Sequence, residues 1–576
     1  MASCTRKRVA AAASCHSVSS SCTCSSLSPS SRISVRLVKT TSPPPFPLAR
    51  YCAAAAVLSF SVFERLRDWR ITGMSGNDGR HTQRRLPACR AATTQPTGSG
   101  SSRTSLSALD SVGLGPAVNG VLERVGSRLE SLSFGGRWTR LGQPIFDSIA
   151  EFCGSLRALD LSAVILSADL GPALTALGHS LEELSFEDAV WVDNANAERV
   201  HDVWSTKLRD TTQLSDHFRS LHRLRRLNLR GSAPCCLGRL SELPDCIEEL
   251  VIAGGSTSIP AQALDDFLDT HRRLKVLELS PLNQASSHLP TLLGRLDQLQ
   301  SLSLSHIDRI ADQVDCTPLA ACAALRTLRM TVRSGVEHNA SQRQRLYCLN
   351  EQSLRSMLMS LNELRELSIV GCKNIFDYSA LIFAQRVERL EICDTEQLQD
   401  EELAAVGGHG RLSDVRLERC GSLTAAGVGR LARACQLRTL FVERCPEVGD
   451  TTVAWLAATQ SQLQRLSLKG CSLITRHTSA LNRKDWLMFS FGVCALAALP
   501  SLPALRFLDL SSNRAIDDSC VASLANALAG IHRDCTTSRA GTSADCGQEK
   551  LVMCVRGTFI TESAKARAAD HIEFLY

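Results

Sequence analysis

The stretch 412–471 contains LSDVRLERC (412–420), LRTLFVERC (437–445) and LQRLSLKGC (463–471), three copies of L-x-x-L-x-L-x-x-C about 25 residues apart. In each copy the second and third apolar positions are separated by one residue, the spacing of a strand that buries one side. The segment between copies has helical spacing instead. In 425–435, Val428, Leu431, Ala432 and Cys435 fall at i, i+3, i+4 and i+7, which makes one apolar face. A single unit of this kind cannot bury both its strand and its helix face. Stacked units can, because they share one continuous core with the strands side by side.

Working outward, the apolar triplet recurs from residue 129 onward. It reads Leu129-Leu132-Phe134, Leu156-Leu159-Leu161, Leu181-Leu184-Phe186, Leu224-Leu227-Leu229, Ile247-Leu250-Ile252, Leu274-Leu277-Leu279 and Leu299-Leu302-Leu304. It continues as Leu325-Leu328-Met330, Leu364-Leu367-Ile369, Val387-Leu390-Ile392, Leu412-Val415-Leu417, Leu437-Leu440-Val442, Leu463-Leu466-Leu468 and Leu505-Leu508-Leu510. Most spacings are about 23 to 27 residues, the range of leucine-rich repeats. The expected fold is an α/β leucine-rich-repeat solenoid, a horseshoe of about 14–15 repeats with a parallel inner sheet and outer helices. Three gaps, near 187–218, 331–357 and 472–500, are too long for one unit and read as insertions. Repeats are expected over 106–528. A polar insert and a terminal capping repeat, one strand and one helix, are expected over 529–576.

The units from about 364 to 473 resemble the cysteine-containing leucine-rich repeats of F-box/leucine-rich-repeat proteins. The resemblance rests on LRELSIVGC (364–372), the three copies quoted above, and the turn-plus-helix segments that follow Cys420 and Cys445. It implies protein binding, and it implies as an alternative the substrate-recognition subunit of an SCF-type ubiquitin ligase with a Skp-type adaptor as partner. An F-box is not recognised: 44–71 has a Pro-Leu start and a late Trp69 but is too short and lacks the middle of the motif. The units from 129 to 330 lack the cysteine.

Bulk composition agrees with a repeat protein. Of 576 residues, 44% are hydrophobic but only 5% aromatic, which suits many small layers better than one ring-filled core. The net charge of +6 comes from 64 basic and 58 acidic residues, with no basic stripe of the kind a nucleic-acid binder shows. The 24 cysteines include no C-x-x-C pair, and many recur at one position of the repeat, as small buried thiols would. No apolar run is long enough to span a membrane. Residues 1–105 are rich in Ser, Ala and Arg, with Glu64 the first acidic residue, and are expected to be a disordered leader. Three readings of residues 1–73 stand: an organelle transit peptide, a disordered tail, or an upstream extension of a chain whose translation starts at Met74. The expected location is cytoplasmic, or mitochondrial or another organelle under the first reading.

No phosphate-binding loop, H-E-x-x-H or G-x-S-x-G motif occurs, so neither an enzyme nor a cofactor is expected. His201, His217 and His222 match no metal-ligand spacing. Arg137 and Arg140 are the arginines available to the further reading, a Ran-type GTPase-activating protein, which needs a catalytic Arg on an N-terminal repeat loop. An organelle assembly factor is the remaining reading and depends on the leader. Binding is expected at the variable positions around each L-x-L, which face away from the core. These are Arg389 and Glu391, then Asp414, Arg416 and Glu418, then Thr439, Phe441 and Glu443, then Arg465, Ser467 and Lys469. Arg and aromatic residues are frequent interface anchors, so Phe441 flanked by Arg416 and Arg465 is the expected anchor for a protein partner.

Overall fold

The computed structural model describes residues 32–37, 68–73, 114–134, 139–191, 217–231, 240–254, 259–280, 286–307, 315–332, 349–372, 375–474, 495–537 and 550–575. The chain divides into two compact units, Met1–Leu208 and Arg209–Tyr576. His201, Arg137 and most of the three expected insertions lie outside the described residues.

In the first unit, β1 (Arg32–Leu37), β2 (Asp68–Gly73), β3 (Ser131–Ser133), β5 (Ala158–Asp160) and β7 (Glu183–Ser185) pair in that order, all parallel. A second parallel ladder joins β4 (Thr139–Leu141), β6 (Val164–Leu166) and β8 (Val190–Trp191). Both β1 and β2 fall within residues 1–105, the segment expected to be a leader. Both segments alternate apolar and polar residues, RISVRL and DWRITG, a period that composition alone conceals.

The second unit continues the same pattern through thirteen parallel strands. They are β9 (Arg226–Asn228), β10 (Glu249–Ala253), β11 (Val276–Ser280), β12 (Ser301–Ile307), β13 (Thr327–Val332), β14 (Glu366–Val370) and β15 (Arg389–Thr395). Then come β16 (Asp414–Cys420), β17 (Thr439–Glu443), β18 (Arg465–Ser467), β19 (Phe507–Asp509), β20 (Leu551–Cys554) and β21 (Ile572–Leu575). Each pairs with the next in one register, so Leu250, Leu277, Leu302, Leu328, Leu367, Leu390, Val415, Leu440, Leu466 and Leu508 form one row. All three apolar positions of every repeat are buried. Each such side chain contributes about 1.5–3 kcal/mol on leaving water. The chain is an α/β leucine-rich-repeat solenoid in both units. Its C-terminal end departs from the expectation: two strands, β20 and β21, follow β19, and the helix Asp518–Thr537 runs across the boundary expected at 528.

Helices such as Ala261–Thr270, Glu351–Ser360, Asp400–Gly407, Ala425–Ala434 and Asp450–Thr459 return the chain between strands. The helix expected in 425–435 buries Val428, Leu431 and Ala432, with Cys435 buried just past its end. In the short repeat between Leu364 and Val387 a 3-10 turn, Ser379–Phe383, replaces the helix. Three kinds of side-chain bond tie consecutive repeats together. At the ninth position Cys420, Cys445 and Cys471 donate to the carbonyls of Ile392 (3.4 Å), Leu417 (3.9 Å) and Val442 (3.3 Å), the sixth residue of the repeat before. Asn513 holds the same position in the next repeat and donates to Leu468 O at 2.8 Å. At the end of the return segment, His271 bonds Leu243 O (2.9 Å), Cys322 bonds Leu293 O (3.2 Å) and Cys435 bonds Gly407 O (3.1 Å). Gln460 bonds Ala432 O and Cys435 O there. The carbonyls of Leu293, Gly407 and Ala432 lie in the last turns of helices, where intrahelical partners run out. At helix N-termini, Asp400 accepts from the backbone and hydroxyl of Thr424, and Asp518 does so from Thr561.

The eighth position carries a backbone signature with no fixed residue type. Ala163, Asp188, Gly231, Gly254, Gly371, Asp394, Arg419, Arg444, Gly470, Ser512 and Gly557 all have φ between 52° and 76°. One left-handed residue at this point ends the strand and turns the chain toward the return segment.

Candidate protein-binding surface

Positions three, five and seven of each repeat lie on the sheet face opposite the core. The residues expected there are brought onto one face of adjacent strands, with Glu391, Arg416, Phe441 and Ser467 in register across β15 to β18. Most of the charged residues among them are already paired with one another. Arg389 lies 3.6 Å from Glu366 and 4.0 Å from Asp414. Arg416 lies 3.5 Å from Glu391 and 3.2 Å from Glu418. Glu418 also takes Arg419 (3.0 Å) and Arg444 (3.2 Å), while Arg419 grips Asp394. Glu391 accepts from Ser368 and Glu443 from Ser467, at 2.7 and 2.8 Å. Exposed pairs of this kind stabilise by only about 0–1 kcal/mol each, but a network fixes side-chain positions.

Three of these positions are less available than free outward residues would be. Phe441, the expected anchor, is half-buried, and the guanidinium of Arg465 lies 5.4 Å from its ring centre. The same guanidinium lies 5.3 Å from Phe507 on the next strand, so one arginine bridges two rings. Phe507 follows the long insertion after Cys471, and the pairing of β18 with β19 sets it opposite Arg465. Ser467, expected to face outward, is 1% exposed beneath its neighbours. Arg416 does not flank Phe441 as a free anchor, since Glu391 and Glu418 hold it. Cys393 was not singled out from sequence; it sits on this face, 4% exposed, with burial pushing its thiol up to about 12.

The ninth-position cysteines are structural. Cys420, Cys445 and Cys471 are fully buried, and burial pushes the Cys471 thiol up to about 12. A hydrogen bond with Cys445, together with burial, raises Cys420. The same hydrogen bond lowers Cys445, but its sulfur is as fully enclosed as the other two, and alkylation needs access as well as thiolate. Native-state alkylation near pH 8, read site by site by mass spectrometry, is therefore expected to modify half-exposed Cys246 and Cys554 at least about tenfold faster than Cys420, Cys445 or Cys471. Equal rates would sink the structural reading of these thiols.

Elsewhere, Arg140 donates to Ser167 Oγ at 3.2 Å in the small ladder of the first unit. His222 lines an open basin with Arg219, Cys246 and Arg273. Among the described residues, no group of three His, Cys, Asp or Glu side chains could hold a metal, and no helix is long and apolar enough to cross a membrane.

No family model matches the chain. No curated protein matches it. Solved structures similar to it include a leucine-rich-repeat protein of Leptospira interrogans, LIC12759, at 12% identity and TM-score 0.36, covering 79% of this chain and 97% of that one. An internalin (inlF) of Listeria monocytogenes is 13% identical with TM-score 0.31, covering 80% and 93%. Rad7 in its complex with Elc1 from yeast is 14% identical with TM-score 0.35, covering 80% and 86%.

Proposed function

We propose that this leucine-rich-repeat chain is a non-enzymatic scaffold that binds a protein partner on the outward sheet face of its second unit. The observation that carries the reading is the register of thirteen parallel strands. It presents rows of side chains on one rigid face, with arginines and phenylalanines among them. A face held by strand pairing and ion pairs loses little conformational freedom on binding, so more of the contact energy appears as affinity. A photo-crosslinking amino acid placed at Phe441 is expected to capture partner proteins in the native cell. The same group at Arg430, on the outer helix Ala425–Ala434, is expected to capture them at least several-fold less. Equal capture from both positions defeats the proposal.

The second reading, a substrate-recognition subunit of an SCF-type ubiquitin ligase, draws on the four cysteines at the ninth repeat position, the feature shared with F-box/leucine-rich-repeat proteins. Co-purification with a Skp-type adaptor tests it, and absence of the adaptor from a crosslinked complex rejects it.

A further inference from the structure

The charges on the outward face of the second unit are unevenly satisfied. Across β13 to β17, arginines and carboxylates alternate and pair: Arg329 with Glu366, Arg389 with Glu366 and Asp414, Arg416 with Glu391 and Glu418. Beyond β17 the pattern stops. Arg465, Lys469 and Arg556 have no carboxylate within ion-pair distance among the described residues. Nearby carboxylates are engaged by hydrogen bonds instead: Glu443 by Ser467 Oγ and Asp509 by the N–H of Ser511, both at 2.8 Å. On the same stretch of the face, Phe441, Phe507, Val552 and Cys554 are half-buried, and Leu575 is 43% exposed. The face therefore changes from a closed ion-pair lattice to an apolar surface with unpaired cations.

We propose that the partner docks on this end of the face, from Phe441 to Val552, and that it presents an acidic segment with interspersed apolar side chains. The inference rests on the scaffold reading and adds the place and the chemistry of the partner. Arg465 is the centre of the site. Its guanidinium lies within cation–π range of both phenyl rings, at 5.4 and 5.3 Å, while its N–H donors have no carboxylate within ion-pair distance among the described residues. Attraction to two rings narrows the positions the guanidinium samples, so a partner carboxylate can take its N–H bonds with less ordering of a flexible side chain. Lys469 offers a second cation on the same strand segment, two residues past the end of β18. Four adjacent strands span about 14 Å, matched by about four or five residues of extended peptide. A nucleic-acid strand fits less well: every nucleotide carries a phosphate that Glu443, Asp509 and Glu573 would repel, whereas a peptide can set single carboxylates on Arg465 and Lys469 and neutral residues against those three positions.

The test uses the full chain and fluorescence anisotropy with three labelled probes of matched length. These are a peptide of glutamate and leucine with serine spacers, the same peptide with lysine for glutamate, and an oligouridine RNA. The acidic peptide is expected to bind more tightly than the other two. The double variant Arg465→Glu with Lys469→Glu is expected to weaken it at least about tenfold, whereas Arg389→Glu in the paired lattice should change it less than about twofold. Should the reversal variant unfold by circular dichroism, Arg465→Gln with Lys469→Gln is expected to show the same loss in smaller degree. The proposal is overturned by equal or tighter binding of the lysine peptide or the RNA. It is also overturned by indifference to Arg465 and Lys469, or by no acidic-peptide binding up to about 1 mM. Crosslinks from Phe441 together with indifference to Arg465 and Lys469 would leave the scaffold reading standing and remove only this one.

Discussion

Replacement of Gln460 by methionine is expected to cost about 3–9 kcal/mol, although the two side chains have similar volume. Gln460 is 2% exposed and sits where the helix Asp450–Thr459 ends. Its Oε1 accepts the N–H of Leu437 at 2.8 Å, and its Nε2 donates to the carbonyls of Ala432 and Cys435. Methionine fills the space but makes none of these bonds, leaving three buried backbone groups without this partner at about 1–3 kcal/mol each. Because each repeat contacts mainly its neighbours, the loss should be concentrated between residues 432 and 463. Urea unfolding should show a lower midpoint, and hydrogen exchange should show the Leu437 amide losing protection first. A loss below about 1 kcal/mol would mean that this row of bonds contributes little. The converse exchange supplies a control. His271 performs the corresponding task with Leu243 O, so His271→Gln is expected to stay within about 1 kcal/mol of the original chain.

The second large effect is expected at Gly371→Ala, about 2–4 kcal/mol. Gly371 has φ +72°, and a Cβ there would meet the carbonyl oxygen of Val332 at 2.8 Å. That oxygen belongs to strand β13 and cannot step aside without breaking the ladder. Gly470 has nearly the same backbone, φ +67°, but its nearest obstacle is Arg444 Cγ at 3.1 Å, on a flexible side chain. Gly470→Ala should therefore lose only the left-handed backbone cost, about 1–2 kcal/mol. Asp394, Arg419 and Arg444 show that side chains are accommodated at this position elsewhere in the chain. The difference between Gly371→Ala and Gly470→Ala, read by thermal unfolding, is the measurement that matters. Equal losses would contradict the steric account.

These two positions illustrate why only part of the molecule is legible in its residues. Leu437, Leu440 and Val442 announce themselves because burial away from water demands apolar side chains at a fixed spacing. The eighth position announces nothing, because what repeats there is a backbone angle. Ala163, Asp188, Asp394, Arg419, Arg444, Ser512 and five glycines all satisfy it. His271, Cys322, Cys435 and Gln460 share one task, donating to a carbonyl of the preceding repeat, yet differ so much in chemistry that no pattern search would group them. The ninth position is intermediate: cysteine recurs, but Asn513 replaces it because a carboxamide reaches the same carbonyl.

The sequence by itself determined the stacked strands, their register and which face of each is buried, because a period of two within strands and about 25 between them leaves no other way to hide the leucines. It also placed Arg389, Glu391, Asp414, Arg416, Glu418, Phe441, Glu443, Arg465 and Lys469 together as outward-facing positions. Tertiary structure alone decided which of them remain available. Much of the pairing runs across strands to neighbours about 25 to 40 residues away: Glu391 from the strand before joins Glu418 in holding Arg416, while Arg465 lies between Phe441 of the strand before and Phe507 from beyond a long insertion. Whether a charge is spent inside the molecule or offered outside it is a property of distances between side chains, and those exist only once the strands have come together.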